Sequence, residues 1–261
     1  MPGAASSTSH PVANWRPLVW IGFYATVLVA WVGLFAVSRS PIPGLSAAEY
    51  WASLCVTARD ADPAVLFGMW ALMTAAMMLP TFVPALRVYA QIGAVGASDP
   101  RGMVALVGGY GAVWLGFAAV ATLAQIGLAR LGAMAADGRL LPWATVLLLL
   151  AAGAYQFSSL KAACLQRCRQ PLTFFLEHWR PGAATAFGMG ARLGGYCLGC
   201  CWVLMLLGFL GGAMNLLWMG AATLFMTLEK LPGPGGYLTK PAGVALLAAG
   251  GILAAQTLQL I

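Results

Sequence analysis

A run of 36 residues without one charged side chain, Leu193–Leu228, constrains this chain more than any other feature. A helix needs only about 20 apolar residues to cross the hydrocarbon core of a bilayer. The run is therefore long enough for two short spans, and Gly211 and Gly212 mark the turn between them. Only 8% of all residues are charged and mean hydropathy is +0.83, whereas a soluble domain has about 25% charged residues. We predict an integral membrane protein.

Other apolar segments recur along the chain at the length of membrane helices. We predict an all-α fold, a polytopic membrane helix bundle with about seven transmembrane helices, in a single integral membrane domain over residues 15–261. Residues 1–14 are small and polar, and we expect a disordered tail there. The predicted spans outside the uncharged run are Pro17–Val37, Pro63–Leu86, Gly102–Ala129, Leu140–Leu160 and Pro241–Ile261.

Lysine and arginine in the short connections predict the orientation, because cytoplasmic loops carry an excess of positive charge. With the N-terminus inside, nine of these residues lie on the cytoplasmic side and four outside. The net charge of +7 is accounted for by these loops and does not indicate nucleic-acid binding. We predict that the lipid bilayer surrounds the helices. The nine cytoplasmic residues are Arg16, Arg87, Arg101, Lys161, Arg167, Arg169, Arg180, Lys230 and Lys240; the four outer ones are Arg39, Arg59, Arg130 and Arg139.

Five of the six cysteines fall into two groups with helical spacing. Cys197, Cys200 and Cys201 stand at i, i+3 and i+4, so their sulfurs share one face of a helix. Cys164 and Cys168 stand at i and i+4 about one span upstream. Thiolates are soft ligands that suit Cu(I), zinc or iron–sulfur centres. We predict that these five residues bind one soft metal ion, with Cu(I) favoured and zinc as the alternative.

Whether the two cysteine groups meet depends on where the fifth span begins. A span that starts at Gly182 places the groups at different depths. Four glycines weaken that helix, and Arg192 is costly at mid-membrane. We therefore favour a span that starts near Leu193, with residues 171–192 on the cytoplasmic interface. This version puts both cysteine groups at one level, with Glu229 as the counter-charge for Arg192.

Methionines form a stripe on the second span. Met69, Met73 and Met77 recur every four residues. Such a stripe is typical of helix packing, since methionine fills irregular gaps. Beside a thiol cluster it is also a candidate relay of thioether ligands for Cu(I). Pro80 and Pro84 follow, and we expect them to kink this helix and to free backbone carbonyls.

A second hypothesis assigns the thiols to redox chemistry. Cys197-Leu-Gly-Cys200 has the spacing of redox dithiols, which favours a membrane thiol-disulfide oxidoreductase. A third interpretation is a structural subunit with incidental cysteines. The sequence contains no phosphate-binding loop, no Ser-His-Asp set and no His-x-x-x-His zinc helix. We rank metal handling first, and enzymatic activity belongs only to the second hypothesis.

The sequence resembles a bacterial family of predicted metal-binding integral membrane proteins, a domain of unknown function with a CxxxC and a CxxCC motif. The resemblance covers about residues 63–236. It implies a multi-pass protein of the bacterial inner membrane with a metal site at the cysteines. Metal transport, delivery or assembly follows as the expected role, with a metal donor or acceptor protein as partner. The residues that carry it are Met69-Trp70, Met73, Met77-Met78, Pro80, Tyr155-Gln156, Leu160-Lys161, Cys164, Cys168-Arg169, Pro171, Tyr196-Cys197, Gly199-Cys200-Cys201-Trp202, Gly212, Met214-Asn215, Trp218-Met219 and Glu229-Lys230.

Overall fold

The computed structural model describes residues 15–39, 62–95, 100–135, 140–210, 216–233 and 235–259. The predicted tail, residues 1–14, and the sixth cysteine, Cys55, lie outside these ranges. Within them the regular elements are helices. They are α1 (Trp15–Arg39), α2 (Pro63–Val95), α3 (Pro100–Arg130), α4 (Pro142–Tyr155), α5 (Ser159–Arg169), α6 (Pro171–His178), α7 (Ala183–Leu206, followed by a 3-10 turn, Leu207–Phe209), α8 (Leu216–Glu229) and α9 (Gly235–Gln259).

Five of these helices are long and apolar enough to cross a membrane. These five helices are α1, α2, α3, α7 and α9. The bent pair α4–α5 makes a sixth candidate if it is counted as one span, and α8, with 14 residues, is shorter. These lengths are compatible with a multi-pass membrane protein. The total of seven spans and the inside position of the N-terminus stay predictions.

The two prolines of α2 lie inside one continuous helix. Because Pro80 has no N–H, the carbonyl of Ala76 loses its helical donor. The indole Nε1 of Trp31 on α1 donates to that carbonyl at 3.0 Å. The free carbonyl predicted from the proline thus becomes an attachment point between α1 and α2.

Glycines allow α3 and α7 to pack with their backbones in close contact. A Cβ on Gly109 would overlap the carbonyl of Phe187, and a Cβ on Gly190 would overlap the carbonyl of Leu106. Small residues at such interfaces permit this approach in membrane helices. The prediction that these glycines and Arg192 move the start of the fifth span to Leu193 is wrong. The helix is unbroken from Ala183, after Gly182 at φ +109°, and does not start near Leu193.

The predicted fourth span is broken between Tyr155 and Ser159. Helices α4 and α5 meet at an angle of 62°. The Ser158 hydroxyl caps the new helix by accepting a hydrogen bond from the backbone N–H of Lys161 at 3.1 Å. Pro171 ends α5, since Gln170 before it leaves the helical conformation at φ −123° and ψ 62°. The bend lays α5 against α7.

The segment predicted to lie on the membrane interface packs into the protein instead. Phe174 and Phe175 on α6 are fully buried, which does not fit the placement of residues 171–192 on the cytoplasmic interface. Phe175 contacts the ring of Tyr89 and Phe174 contacts the ring of Tyr196, with centroid distances of 5.6 and 6.1 Å. The aromatic side chains thus attach α6 to α2 and α7.

The close contact of α3 and α7 predicts opposite effects for two neighbouring glycines of α7. In Gly190→Ala the new methyl group meets a backbone carbonyl that cannot rotate away, so we expect a loss of about 1–3 kcal/mol of stability. In Gly188→Ala the methyl group meets nothing within 4 Å, and helix propensity should add about 1 kcal/mol. Thermal unfolding in detergent checks this prediction. Equal melting temperatures for the two variants would contradict it.

Candidate metal centre

The three cysteines of α7 form a compact group of thiols. Cys197, Cys200 and Cys201 are at most 3% exposed, and their Sγ atoms all lie within 4.8 Å of one another. The Sγ atoms of Cys200 and Cys201 are 3.1 Å apart. The Cys200 thiol donates to the carbonyl of Cys197 at 3.1 Å. The spacing i, i+3 and i+4 therefore puts three sulfur donors together.

The bend before α5 brings the second cysteine group to this cluster. Cys168, one turn beyond Cys164 on α5, lies beside the sulfurs of Cys197 and Cys200 and outside the compact group of three. Cys164 packs on Gly199, so close that a Cβ there would lie 2.6 Å from its Sγ. The two groups meet as expected, but for another reason. The fifth span begins at Ala183, and the break in the fourth span brings α5 to the thiols.

A lysine supplies positive charge to the centre of the thiol cluster. Lys230, directly after α8, donates from Nζ to the Sγ of Cys197 at 3.0 Å and to the hydroxyl of Thr81 at 2.8 Å. The Tyr110 hydroxyl lies 2.9 Å from the same sulfur and donates to the carbonyl of Met78. A buried ammonium stabilises a neighbouring thiolate. Cys197 is therefore the sulfur best placed to carry negative charge.

Sequence reasoning missed Lys230, Thr81 and Tyr110 as neighbours of the thiols. In the sequence, Lys230 stands as a loop charge and as one residue of the family resemblance. Its position gave a signal, because Glu229 and Lys230 together are the first charges after the 36-residue uncharged run. Thr81 and Tyr110 gave none, since their role depends on how α2 and α3 pack against α7.

The predicted partner of Glu229 is wrong. Its carboxylate pairs with Lys161 of α5, with Nζ 2.8 Å from Oε1, and both side chains are at most 1% exposed. Arg192 is exposed on α7. The carbonyl of Glu229 accepts a hydrogen bond from Nε of Arg169 at 2.9 Å. Residue 229 thus holds α5 while residue 230 contacts Cys197.

Two basic residues of α5, Lys161 and Arg167, are paired with carboxylates and not with the thiols. Lys161 is paired with Glu229, and Arg167 forms a surface ion pair with Glu177 at 2.9 Å. The charges of both α5 residues are therefore neutralised by carboxylates. The positive charge at the sulfurs comes from Lys230.

A tyrosine connects α4 to the cysteine segment of α7. The Tyr155 hydroxyl donates to the carbonyl of Gly199. Its ring meets Trp202 edge to face at a centroid distance of 5.5 Å. This contact holds the end of α4 beside the thiols, immediately before the chain bends into α5.

The methionine stripe runs away from the thiols. Met73 and Met77 are buried, and Met69 is partly buried. The methyl group of Met73 lies 3.8 Å from the Cβ position of Gly208. That glycine follows Cys201 by seven residues, which is about 10 Å along a helix. Met73 is thus beyond direct ligand distance of the cluster, and a relay through the three methionines stays a prediction.

The donor set fits a soft metal ion carried as cargo. Thiolate sulfur selects Cu(I) and zinc over hard cations. His178, the histidine within the described ranges, is stacked on Phe174, and its Nδ1 lies 2.9 Å from the Phe174 carbonyl. No carboxylate belongs to the compact group found among these residues. The centre is therefore a sulfur site with one ammonium beside it.

Comparison with known proteins assigns the chain to a family. The model of the family described as "PpoB2: Copper chaperone" matches residues 67–253, which is more than half of the chain. No curated protein and no solved structure matches.

Breaking the buried ion pair of α5 should lower the stability of the protein more than breaking its surface ion pair. Lys161→Met leaves the Glu229 carboxylate buried and uncompensated, which should cost about 3–5 kcal/mol of stability. Adding Glu229→Met should recover most of that loss. Arg167→Met breaks the pair with Glu177, both of whose side chains are about half exposed, and should cost less than about 1 kcal/mol. Denaturation in detergent measures all three variants. Equal losses for Lys161→Met and Arg167→Met would contradict the assignment.

Proposed function

The chain belongs to the PpoB2 copper chaperone family, and we propose that it is a helical membrane protein that holds Cu(I) as cargo at its buried cysteines. The observation that carries the proposal is the group of three buried sulfurs within 4.8 Å of one another. Cys197, Cys200 and Cys201 are the main ligands. Cys168 is a fourth sulfur at the edge of the group, and Cys164 supports α5 from behind.

Charge balance is satisfied when Cu(I) is bound by two thiolates beside Lys230. A buried charge is costly unless an opposite charge neutralises it. Cu(I) with two thiolates carries one negative charge, which Lys230 balances. Zn²⁺ with three thiolates would also carry one negative charge, so the choice of Cu(I) over zinc comes from the copper chaperone family. The ammonium 3.0 Å from Cys197 thus matches a Cu(I)–dithiolate, and a third cysteine remains as a neutral thiol.

The three methionines of α2 extend the proposal along the bundle. Thioethers bind Cu(I) more weakly than thiolates and carry no charge. Met77, Met73 and Met69 follow one face of α2 toward its beginning at Pro63. We assign them to the passage of copper between the thiol cluster and that end of the bundle. A donor or acceptor protein with its own soft ligands is the partner that this passage needs.

Removal of the thiols tests the copper site. Purified without oxygen after growth with copper, the protein should contain about one copper per chain, the number that a single site holds. The variant with serine at residues 164, 168, 197, 200 and 201 should contain none. Cys55→Ser is the matched control and should keep its copper. Elemental analysis against protein concentration gives the ratio. Copper retained by the five-serine variant would contradict the proposal.

A thiol-disulfide oxidoreductase is the second candidate. It is favoured by the spacing of Cys197 and Cys200 and by the lysine beside Cys197, which would activate that thiol as a nucleophile. Alkylation before and after reduction distinguishes the two functions. A Cys197–Cys200 disulfide that changes with growth conditions would support redox chemistry. Permanently reduced thiols with bound copper support metal handling, and permanently reduced thiols without metal contradict both.

A further inference from the structure

The thiol cluster is closed in this structure. Cys197, Cys200 and Cys201 are at most 3% exposed, whereas Cys168 is only partly buried. A cargo ion must reach these sulfurs from another protein and leave again by exchange of ligands. Some element that covers the cluster therefore has to move.

Helix α7, which carries the three buried sulfurs, is held in place. Its backbone touches that of α3 at Gly190, where even an added methyl group would overlap the carbonyl of Leu106. The two backbones are equally close at Gly109 of α3, where an added methyl group would overlap the carbonyl of Phe187. Densely packed helices of this kind resist displacement. The motion must belong to an element on the other side of the cluster.

Helix α5, called the arm (Ser159–Arg169), is built for such a motion. The chain leaves helical geometry at both its ends, at the 62° break before it and at Gln170 after it. Short non-helical segments absorb the dihedral changes of a hinge. The arm has 11 residues, so a rotation about these ends moves it as one body.

The contacts that keep the arm closed are incompletely satisfied. Buried polar atoms without a hydrogen bond occur on it and around it: Arg169 Nη2, Glu229 Oε1 and Gln156 Oε1. The Lys161 ammonium donates to Glu229 Oε2 at 2.9 Å, while Oε1, 2.8 Å from the same ammonium, has no hydrogen bond. Buried polar atoms without partners cost free energy that opening to water restores. Hydration of these atoms therefore offsets part of the cost of moving the arm.

We propose that the arm swings away from α7 to open the copper site, and that Cys168 is the transfer ligand it carries. This inference rests on the proposed function. In the closed position Cys168 lies at the edge of the sulfur cluster, one helical turn beyond Cys164, which packs on Gly199. In the open position it holds the ion toward an incoming thiol. Each exchange forms one copper–sulfur bond as another breaks; the proton of the incoming thiol passes to the departing thiolate, and copper stays Cu(I).

Two glycines of α7 test the motion without changing a sulfur or a charge. Gly199→Ala places a methyl group 2.6 Å from the Cys164 sulfur and pushes the arm outward, whereas Gly195→Ala meets nothing within 4 Å. Maleimide labelling of Cys168 in the copper-free protein reports opening. Removal of Cu(I) by bicinchoninate from the loaded protein reports transfer. We expect Gly199→Ala to be about tenfold faster in both assays, as a shifted opening equilibrium requires, and Gly195→Ala to match the wild type. Equal rates of labelling and of copper removal in the two variants would overturn the proposed motion of the arm.

Lys161→Met provides a second test if Gly199→Ala does not fold. It leaves the Glu229 carboxylate buried without its partner, so that opening of the arm to water is favoured, and it keeps every cysteine in place. Labelling of Cys168 should again be faster than in the wild type, and an unchanged rate overturns the motion. Cys168→Ser tests the transfer role: removal of copper should become slower by about tenfold, and an unchanged rate overturns that role. If the wild type binds no copper, the proposed function fails, while labelling still decides the motion.

Discussion

The contact of the Lys230 ammonium with the Cys197 sulfur decides what the rest of the thiol cluster can do. Three buried sulfurs in apolar surroundings stay neutral unless a positive charge lies beside one of them. Lys230 supplies that charge at 3.0 Å, and Thr81 binds the same ammonium at 2.8 Å. The site can therefore take up a cation and one further negative sulfur without leaving a net charge in the interior.

The position of Lys230 depends in turn on Glu229, its neighbour in the chain. Glu229 is paired with Lys161 and accepts from Arg169 through its carbonyl. Both of these partners lie on α5, the helix that also carries Cys164 and Cys168. One pair of consecutive residues at the end of α8 thus connects the charge at the thiols to the helix that covers them. We infer that movement of α5 alters the surroundings of Lys230 as well as the number of sulfur ligands.

The sequence predicted the helical class, most of the apolar helices and the grouping of the thiols, because these follow from hydrophobic length and from spacing on one helix. It did not predict how glycine acts in α7. The intrinsic cost of glycine in a helix suggested a break, but contact with α3 at Gly190 outweighs it. The pairing of Glu229 with Lys161 also escaped prediction, because it depends on the 62° bend at residues 156–158, which apolar length does not reveal.

The affinity of the Lys230→Met variant for Cu(I) tests the central role of charge balance most directly. Loss of a hydrogen bond to a charged group is worth about 1.5–3 kcal/mol, so Cu(I) should bind about 10- to 100-fold more weakly in competition with a chelator. Lys240→Met removes a charge of the same kind from an exposed position and should bind Cu(I) like the wild type. Wild-type affinity in Lys230→Met, with the thiols reduced and the protein folded, would contradict the account.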